Sequence, residues 1–187
     1  MTNENTMHSI DKDYIKNAIR TIPNWPHEGV MFRDITTIFQ DAKALRGFLD
    51  AMIQRYMGQN LKFVAGLDAR GFLIGVTIAY GLNLPFVPIR KKGKLPYKTI
   101  SRSYDLEYGK ESIEIHTDAC SPGDRCIVVD DLIATGGTMV AACELLSELK
   151  AEVVEVAAII DLPDLGGSKK LKELGYKLFT ICEFEGE

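Results

Sequence analysis

Two adjacent carboxylates followed by a turn of small residues form the stretch of this sequence best suited to chemistry. Asp130 and Asp131 come directly after the apolar run 126–129, and a pentapeptide at 134–138, here called the phosphate loop, follows shortly afterwards. It consists of Ala134, Thr135, Gly136, Gly137 and Thr138. From Met139 onward apolar residues recur at helical spacing, so the pattern predicts a strand, a turn and a helix. Because the first amides of a helix lack internal partners and glycines let the backbone close around an anion, this turn is suited to bind phosphate.

The same stretch also suits a sugar. Asp130 and Asp131 are able to accept hydrogen bonds from two neighbouring hydroxyls of a ribose, and Thr135 and Thr138 add hydroxyl donors to the phosphate loop. Together these groups describe a site for a ribose 5-phosphate. A plainer interpretation stays open, because paired aspartates also cap helices and Gly-Gly also forms ordinary tight turns. Common nucleotide loops are excluded, since neither Gly-Lys-Ser/Thr nor a Gly-x-Gly-x-x-Gly after a strand is present.

Composition and charge narrow the class of protein. The chain has 187 residues, 46% of them hydrophobic, which predicts a single domain over residues 1–187. Its 22 basic and 26 acidic residues give a formal charge of −4 without a long basic run, so nucleic-acid binding is disfavoured. The four cysteines form no Cys-x-x-Cys pair, the three histidines are scattered, and no apolar run reaches membrane-spanning length. We therefore expect a cytoplasmic protein with reduced thiols, no zinc site and no membrane contact.

Helical and strand patterns alternate along the chain. Helical spacing marks residues 11–20, 42–57, 72–80 and 169–174, in addition to the helix that begins near Met139. Apolar runs predict strands at residues 61–67, 84–89, 126–129, 153–160 and 176–182. Alternation on both sides of Gly109 predicts a long polar β-hairpin, which is a candidate lid. This order predicts an α/β fold with a mainly parallel sheet flanked by helices.

Two further turns follow predicted strands, where ligands gather in parallel sheets. At the first, Arg70 begins a helix and would suit a second anionic group, unless Asp68 merely caps the helix and Arg70 points to water. At the second lies a segment at 90–96, here called the cationic loop. It contains Arg90, Lys91, Lys92 and Lys94. Such a cluster is most often a solvated loop, but in a chain of net negative charge it would also neutralise a pyrophosphate group.

Candidate contacts for a flat heterocycle lie in two apolar segments. Phe32, between Met31 and Arg33, is able to stack on a ring while nearby backbone groups bond its edge. On the pattern alone, a short packed strand with a surface ion pair is the simpler interpretation. Leu162, which follows the strand predicted at 153–160, would flank such a ring. Glu107 of the hairpin is, on its pattern alone, a solvent-facing strand residue.

Taken together, these motifs resemble those of the adenine phosphoribosyltransferases within the type I phosphoribosyltransferase family. The resemblance runs from about residue 22 to the carboxyl terminus and rests on segments 29–35, 68–72, 90–96, 104–109 and 128–138 in the expected order. They are Gly-Val-Met-Phe-Arg-Asp-Ile, Asp-Ala-Arg-Gly-Phe, Arg-Lys-Lys-Gly-Lys-Leu-Pro, Tyr-Asp-Leu-Glu-Tyr-Gly and Val-Val-Asp-Asp-Leu-Ile-Ala-Thr-Gly-Gly-Thr. The last is similar to the family's signature for phosphoribosyl pyrophosphate (PRPP). The resemblance implies the type I fold, with an N-terminal hood over about residues 1–36 and a flexible lid over about residues 97–117.

The resemblance also implies a reaction and a role for each motif. Family members join N9 of adenine to the ribose of PRPP, giving AMP and pyrophosphate, with Mg²⁺ held mainly by PRPP and water. By position, residues 134–138 bind the 5-phosphate, Asp130 and Asp131 the ribose, and Asp68, Ala69, Arg70, Arg90, Lys91 and Lys94 the pyrophosphate. Met31, Phe32, Arg33 and Leu162 would contact adenine, and Glu107 would handle the adenine proton. A homodimer and a cis peptide bond between Asp68 and Ala69 are further implications.

Small departures and two alternatives accompany this resemblance. Ala69 stands where many relatives have serine, and Lys92 makes the cationic loop more basic than in some relatives. Proteins with this fold also serve as non-catalytic regulators, but these commonly carry a nucleic-acid module or a basic face, neither of which the sequence indicates. An enzyme for hypoxanthine or xanthine is the other alternative. Such relatives often carry a lysine after the last core strands, and none stands beside Leu162.

Overall fold

The computed structural model describes residues 11–106 and 109–186 of the chain. Its helices are α1 (Lys12–Ala18), α2 (Thr36–Gln40), α3 (Ala42–Tyr56), α4 (Arg70–Leu82), α5 (Gly137–Glu148) and α6 (Gly167–Glu173), with a 3-10 helix at Pro163–Leu165. Its strands are β1 (Arg20–Pro23), β2 (Met31–Asp34), β3 (Phe63–Leu67), β4 (Phe86–Lys91), β5 (Thr99–Leu106), β6 (Gly109–His116), β7 (Arg125–Ile133), β8 (Glu152–Asp161) and β9 (Leu178–Glu183). In this part of the chain, no helix is both long and apolar enough to cross a membrane.

Seven of the strands form one sheet in the order β5-β6-β4-β3-β7-β8-β9. Strands β4, β3, β7, β8 and β9 run parallel, whereas β6 pairs antiparallel with both β4 and β5. One hydrophobic cluster lies between the sheet and helices α1 to α4, and a second lies under α5 and α6. The predicted α/β fold, with helices on both faces of a mainly parallel sheet and a β-hairpin at one edge, is confirmed.

The segment before α3 contains β2, where the pattern around Phe32 favoured a short packed strand, and also β1 and α2, which the pattern did not predict. Strands β1 and β2 form a separate antiparallel pair, here called the hood sheet, in which Arg20 lies opposite Asp34 and Pro23 opposite Met31. Helix α2 follows directly. Each of these strands has four residues and α2 has five, which is too short for a helical or alternating period to show.

A buried carboxylate joins α3 to the sheet. Glu155 of β8 is 6% exposed and accepts hydrogen bonds of 2.6 and 2.7 Å from Arg55 and one of 2.7 Å from the hydroxyl of Tyr56. The Arg55 guanidinium also lies 4.1 Å from the centre of the Phe179 ring on β9. Burial alone would raise the pKa of Glu155, but the hydrogen bonds from Arg55 and Tyr56 lower it below its ordinary value of 4.5. The folded state therefore stabilises the ionised carboxylate.

We expect Glu155→Gln to lower the free energy of unfolding by about 2 kcal/mol at pH 7, because a mostly buried ion pair loses one partner while Arg55 regains some water. A folded-state pKa below the unfolded value means that this contribution is present above pH 4.5 and is lost as the pH falls through the folded pKa. Urea unfolding of both proteins should show the difference shrinking below pH 4.5. Glu152→Gln, which removes an exposed pair with Arg125, is the matched control and should cost less than about 1 kcal/mol. A difference independent of pH would contradict this account.

Candidate active site

Strands β3, β4 and β7 end at the same edge of the sheet and bring the predicted anion-binding residues together there. The first turn of α4 packs closely on β7 beside Val129 and Asp130. A Cβ added to Gly71 would lie 2.7 Å from the Val129 carbonyl oxygen, so only glycine fits there. This close approach lets Nε of Arg70 donate to Oδ2 of Asp131 at 2.6 Å. The alternative in which Asp68 caps α4 and Arg70 points to water is wrong, since no side chain caps α4 and Arg70 is paired.

The phosphate loop connects β7 to α5. Gly136 is the residue before α5 and has φ +75°, a left-handed conformation that favours glycine. No side chain caps α5, so the amides of its first turn remain available to an anion. A cleft of about 150 Å³ is lined by Arg70 and residues 130–139. The aspartates are therefore not helix caps, and the geometry is compatible with the predicted binding of a 5-phosphate beside a ribose.

The loop between β8 and α6 packs against the phosphate loop. The amide of Gly167, the first residue of α6, donates to the carbonyl of Ala134 at 3.0 Å. A Cβ on Gly167 would lie 2.5 Å from the Gly136 nitrogen and even closer to the Ala134 oxygen. Sequence analysis did not identify Gly167 as part of the site. The available signal was a second Gly-Gly pair, at 166–167, shortly after a strand end.

The two aspartates of the site differ in their electrostatics. Burial, followed by the negative charge of Asp131, raises the pKa of Asp130 well above its ordinary value of 3.8. The side chain of Asp130 accepts a hydrogen bond of 2.9 Å from the Asp131 amide, whereas Asp131 is 3% exposed and paired with Arg70. A carboxyl that keeps its proton more readily is able to donate as well as accept. The pair is therefore suited to bind the two hydroxyls of a ribose.

The turn after β3 and the cationic loop after β4 contact each other. The peptide bond between Asp68 and Ala69 is cis, which confirms the implication of the resemblance. Oδ2 of Asp68 accepts a hydrogen bond of 3.0 Å from Nε of Arg90, and Nη1 of Arg90 donates to the Lys94 carbonyl at 3.2 Å. Arg90 therefore links the cationic loop to the turn that contains Asp68, Ala69 and Arg70, and the pyrophosphate-binding role of these residues stays a prediction.

A buried glutamate that sequence analysis missed holds the cationic loop. Glu114 of β6 is 4% exposed and accepts hydrogen bonds from the amides of Lys94 and Leu95, at 3.0 and 2.9 Å, and from the hydroxyl of Thr99 at 3.2 Å. Burial would raise the pKa of Glu114, but these hydrogen bonds lower it. A charged residue between Ile113 and Ile115 looks like a solvent-facing strand position in the sequence, so its role was not apparent.

The β5–β6 hairpin is tied to both anion-binding loops. Lys91 is paired with Glu111 of β6 at 2.8 Å, and Glu111 accepts a hydrogen bond of 3.0 Å from the hydroxyl of Tyr104, its partner on β5. Burial raises the pKa of Tyr104, and the nearby side chain of Thr138 in the phosphate loop lowers it in part. Lys91, a predicted pyrophosphate contact, therefore already has a protein partner. Glu107 lies outside the described residues.

The hood sheet ends beside the anion site. Hydrogen bonds from Thr36 lower the pKa of Asp34, the last residue of β2, and the nearby charge of Arg70 lowers it further. Phe32 packs edge-on against Trp25 with ring centres 4.3 Å apart, and Met31 remains partly exposed. The remaining predicted adenine contacts are Arg33, on the same strand, and Leu162, whose amide donates to the Ile133 carbonyl at 2.9 Å. The ring-binding roles of these residues stay predictions.

A mainly parallel sheet with paired acids and a phosphate loop after one strand, and an arginine after its neighbour, defines a phosphoribosyltransferase of type I. Residues 34–183 match the family model described as the phosphoribosyl transferase domain. An adenine phosphoribosyltransferase of Cupriavidus metallidurans is 60% identical over 173 residues, which are 92% of this chain and 91% of that protein. The chain belongs to the adenine phosphoribosyltransferase family.

Solved structures agree with this assignment. Adenine phosphoribosyltransferase from Thermoanaerobacter pseudethanolicus superposes with a TM-score of 0.87 at 42% identity, covering 92% of this chain and 99% of its own. The Saccharomyces cerevisiae enzyme, solved with D-2,5-dideoxy-2,5-imino-altritol 1,6-bisphosphate and adenine, gives a TM-score of 0.85 at 35% identity and covers 91% of this chain and 98% of its own. The type I fold extends over nearly the whole chain.

Proposed function

We propose that this protein is an adenine phosphoribosyltransferase, which transfers the 5-phosphoribosyl group of PRPP to N9 of adenine and releases AMP and pyrophosphate. The observation that carries the proposal is the cleft at the end of β7, where the phosphate loop, the paired acids and Arg70 meet. PRPP carries a phosphate at one end of its ribose and a pyrophosphate at the other. Asp130 and Asp131 lie between the phosphate loop and Arg70, which would bind these two anions. The proposal is also supported by the S. cerevisiae relative, which was solved with adenine.

Each group has a physical task in this proposal. Bond cleavage leaves positive charge on the ribose and negative charge on the departing pyrophosphate, and fixed charges at those places stabilise the transition state. In the proposed complex, Asp130 and Asp131 would contact the ribose, and Arg70, Arg90, Lys91 and Lys94 would neutralise the pyrophosphate. Pairing with Asp131 and Asp68 orients Arg70 and Arg90 before substrate arrives. Residues 97–117 would act as a lid that excludes water, and residues 1–36 as the hood over the base.

Magnesium is part of the proposal. Within residues 11–106 and 109–186, no cluster of three or more His, Cys, Asp or Glu side chains could hold a metal. Asp130 and Asp131 are the carboxylates at the cleft, and one or two carboxylates together with phosphate oxygens and water form a donor set that fits Mg²⁺. When bound, the ion would neutralise charge on the pyrophosphate as a Lewis acid. PRPP oxygens and water would supply most of its ligands, and Asp130 and Asp131 are the carboxylates that would complete them.

Product analysis by chromatography tests the function directly. The purified protein is incubated with PRPP and Mg²⁺, and adenine, hypoxanthine, guanine and orotate are offered separately. We expect AMP from adenine and no nucleotide from the other bases. Turnover of another base would show that the adenine contacts were wrongly assigned. If the protein binds PRPP but forms no nucleotide from any base, the proposal that it is an enzyme is wrong and a regulatory role is favoured.

We further propose a cytoplasmic homodimer. A cytoplasmic location is supported by the four cysteines, all of which are free thiols. Dimerisation is supported by one face of α4, where Leu73, Val76 and Tyr80 are exposed at helical spacing and Tyr80 is 88% exposed. Three large apolar side chains on one helix face are typical of a protein interface. The proposed partner on this face is a second copy of the chain.

Tyr80→Glu is expected to convert the dimer to a monomer, because it places a charge at the most exposed residue of the apolar face. The dissociation constant should rise by at least about 100-fold. Size-exclusion chromatography with light scattering would then report the chain mass of 20.8 kDa instead of twice that value. Met57→Glu is the matched control, since Met57 is an exposed apolar residue, 64% accessible, just after α3. A Tyr80→Glu protein that stays dimeric would place the interface elsewhere.

A further inference from the structure

The hood sheet carries three of the predicted adenine contacts, but it has no strand partner in the central sheet. Its strands β1 and β2 pair only with each other in the described part of the chain. The distance between the hood sheet and the central sheet therefore depends on side-chain contacts. Arg33 of β2 makes such a contact with the segment that follows β9.

The guanidinium of Arg33 is held by three groups. Nη1 donates to Oγ1 of Thr21 at 2.6 Å, and Nη2 donates to the Glu185 carbonyl at 3.2 Å. The ring of Phe184 lies over the guanidinium, with its centre 4.4 Å from the central carbon. Nε of Arg33 is buried and has no hydrogen-bond partner among the described residues. Burial lowers the pKa of Arg33, and a cation–π contact becomes stronger when water is removed from it.

Phe184 is in turn anchored to the central sheet. It directly follows β9, and its amide donates to the Asp161 carbonyl at 3.1 Å. Asp161 is the last residue of β8 and immediately precedes Leu162, the predicted adenine contact on the sheet side. A continuous chain of contacts therefore runs from the Leu162 side of the predicted base site through Phe184 to Arg33 on the hood side.

We infer that Phe184 is a positioning residue for adenine, which holds β2 at the correct distance from Leu162 through its contact with Arg33. The inference rests on the proposed function, in which the segment around Arg33 contacts the base. Phe184 itself does not have to touch adenine. The residues proposed to bind PRPP lie on the loops after β3, β4 and β7. Across the part of the chain that the structure describes, Phe184 makes no contact with these loops that would hold them in place. Its loss should therefore weaken the use of adenine and leave the use of PRPP unchanged.

Initial rates with adenine and PRPP varied separately test this split. Phe184→Leu keeps an apolar side chain but removes the ring face, and we expect it to raise KM for adenine about five-fold while KM for PRPP changes less than about two-fold. Phe184→Tyr keeps the ring face and should behave like the unmodified protein. Lys16→Met is the matched control, because Lys16 lies over the same ring at 4.9 Å without contacting Arg33.

A double-mutant cycle with Arg33→Lys separates positioning from a general loss of stability. If Phe184 acts through the guanidinium, adding Phe184→Leu to Arg33→Lys should raise KM for adenine no further. Three outcomes would overturn the inference and leave the proposed function standing. They are additive effects in the cycle, an equal rise in KM for both substrates, and an unchanged KM for adenine in an active Phe184→Leu protein. Absence of AMP formation by the unmodified protein would instead overturn the proposed function, and the inference with it.

Discussion

Glu107→Gln is expected to slow AMP formation by about 10²- to 10⁴-fold, the usual cost of losing a general acid or base. We propose Glu107 for the adenine proton by its position in the family motif. The described parts of the hairpin on either side support this, because Glu111 accepts hydrogen bonds from Tyr104 and from Lys91 of the cationic loop. Glutamine cannot carry the proton, although it is nearly the same size. Single-turnover rates are the correct measurement, since product release limits many enzymes of this kind.

The control for Glu107→Gln is the same substitution at Glu148. Glu148 of α5 accepts a hydrogen bond of 2.9 Å from Nη2 of Arg102 on the hairpin. Both side chains of this ion pair are exposed, and neither belongs to the anion-binding loops. We expect Glu148→Gln to change the single-turnover rate less than about two-fold. Equal losses in both variants would indicate that hairpin placement, not proton transfer, was disturbed. A Glu107→Gln protein with an unchanged rate would remove Glu107 from the chemistry.

The elements that position the site were largely predictable because each has a local pattern. The run 126–129, the small residues of the phosphate loop and the helical spacing after Met139 lie next to one another in the sequence, and the structure has β7, the loop and α5 there. The pairing of Arg70 with Asp131 could not be predicted in the same way. These residues are 61 positions apart, and their contact depends on the approach of α4 to β7 at Gly71.

The supporting residues were missed for a related physical reason. In the sequence Glu114 looks like a solvent-facing strand residue and Phe184 like an ordinary apolar residue after a strand, because neither belongs to a recognisable motif. Their importance arises from what the fold places beside them, namely the amides of the cationic loop for Glu114 and the guanidinium of Arg33 for Phe184. Motifs therefore identify groups that are able to contact a ligand, whereas the groups that hold them in place emerge from tertiary packing.

Gly167→Ala is expected to lower kcat/KM for PRPP by about 100-fold, because displacing a binding loop by about 1 Å has an effect of that size. The new methyl group would lie within 2.5 Å of the Gly136 nitrogen and 2.8 Å of the Thr135 carbonyl carbon. All of these atoms belong to backbone, so no flexible side chain is able to move aside. The phosphate loop must shift, and the amides at the start of α5 then no longer surround the 5-phosphate. Calorimetric titration with PRPP would measure the loss of affinity.

The variant should nevertheless fold, since overpacking of this kind typically costs about 1 to 3 kcal/mol. Gly47→Ala, in α3, is the matched control, because the nearest atom to its new methyl group is a methyl carbon of Ile15 in α1 at 3.9 Å, an ordinary contact. We expect Gly47→Ala to bind PRPP normally and to be at least as stable as the unmodified protein. Normal PRPP affinity in Gly167→Ala would show that the loop after β8 does not support the phosphate loop. A protein that loses PRPP binding but keeps its cooperative thermal unfolding would separate the damage to the site from damage to the fold.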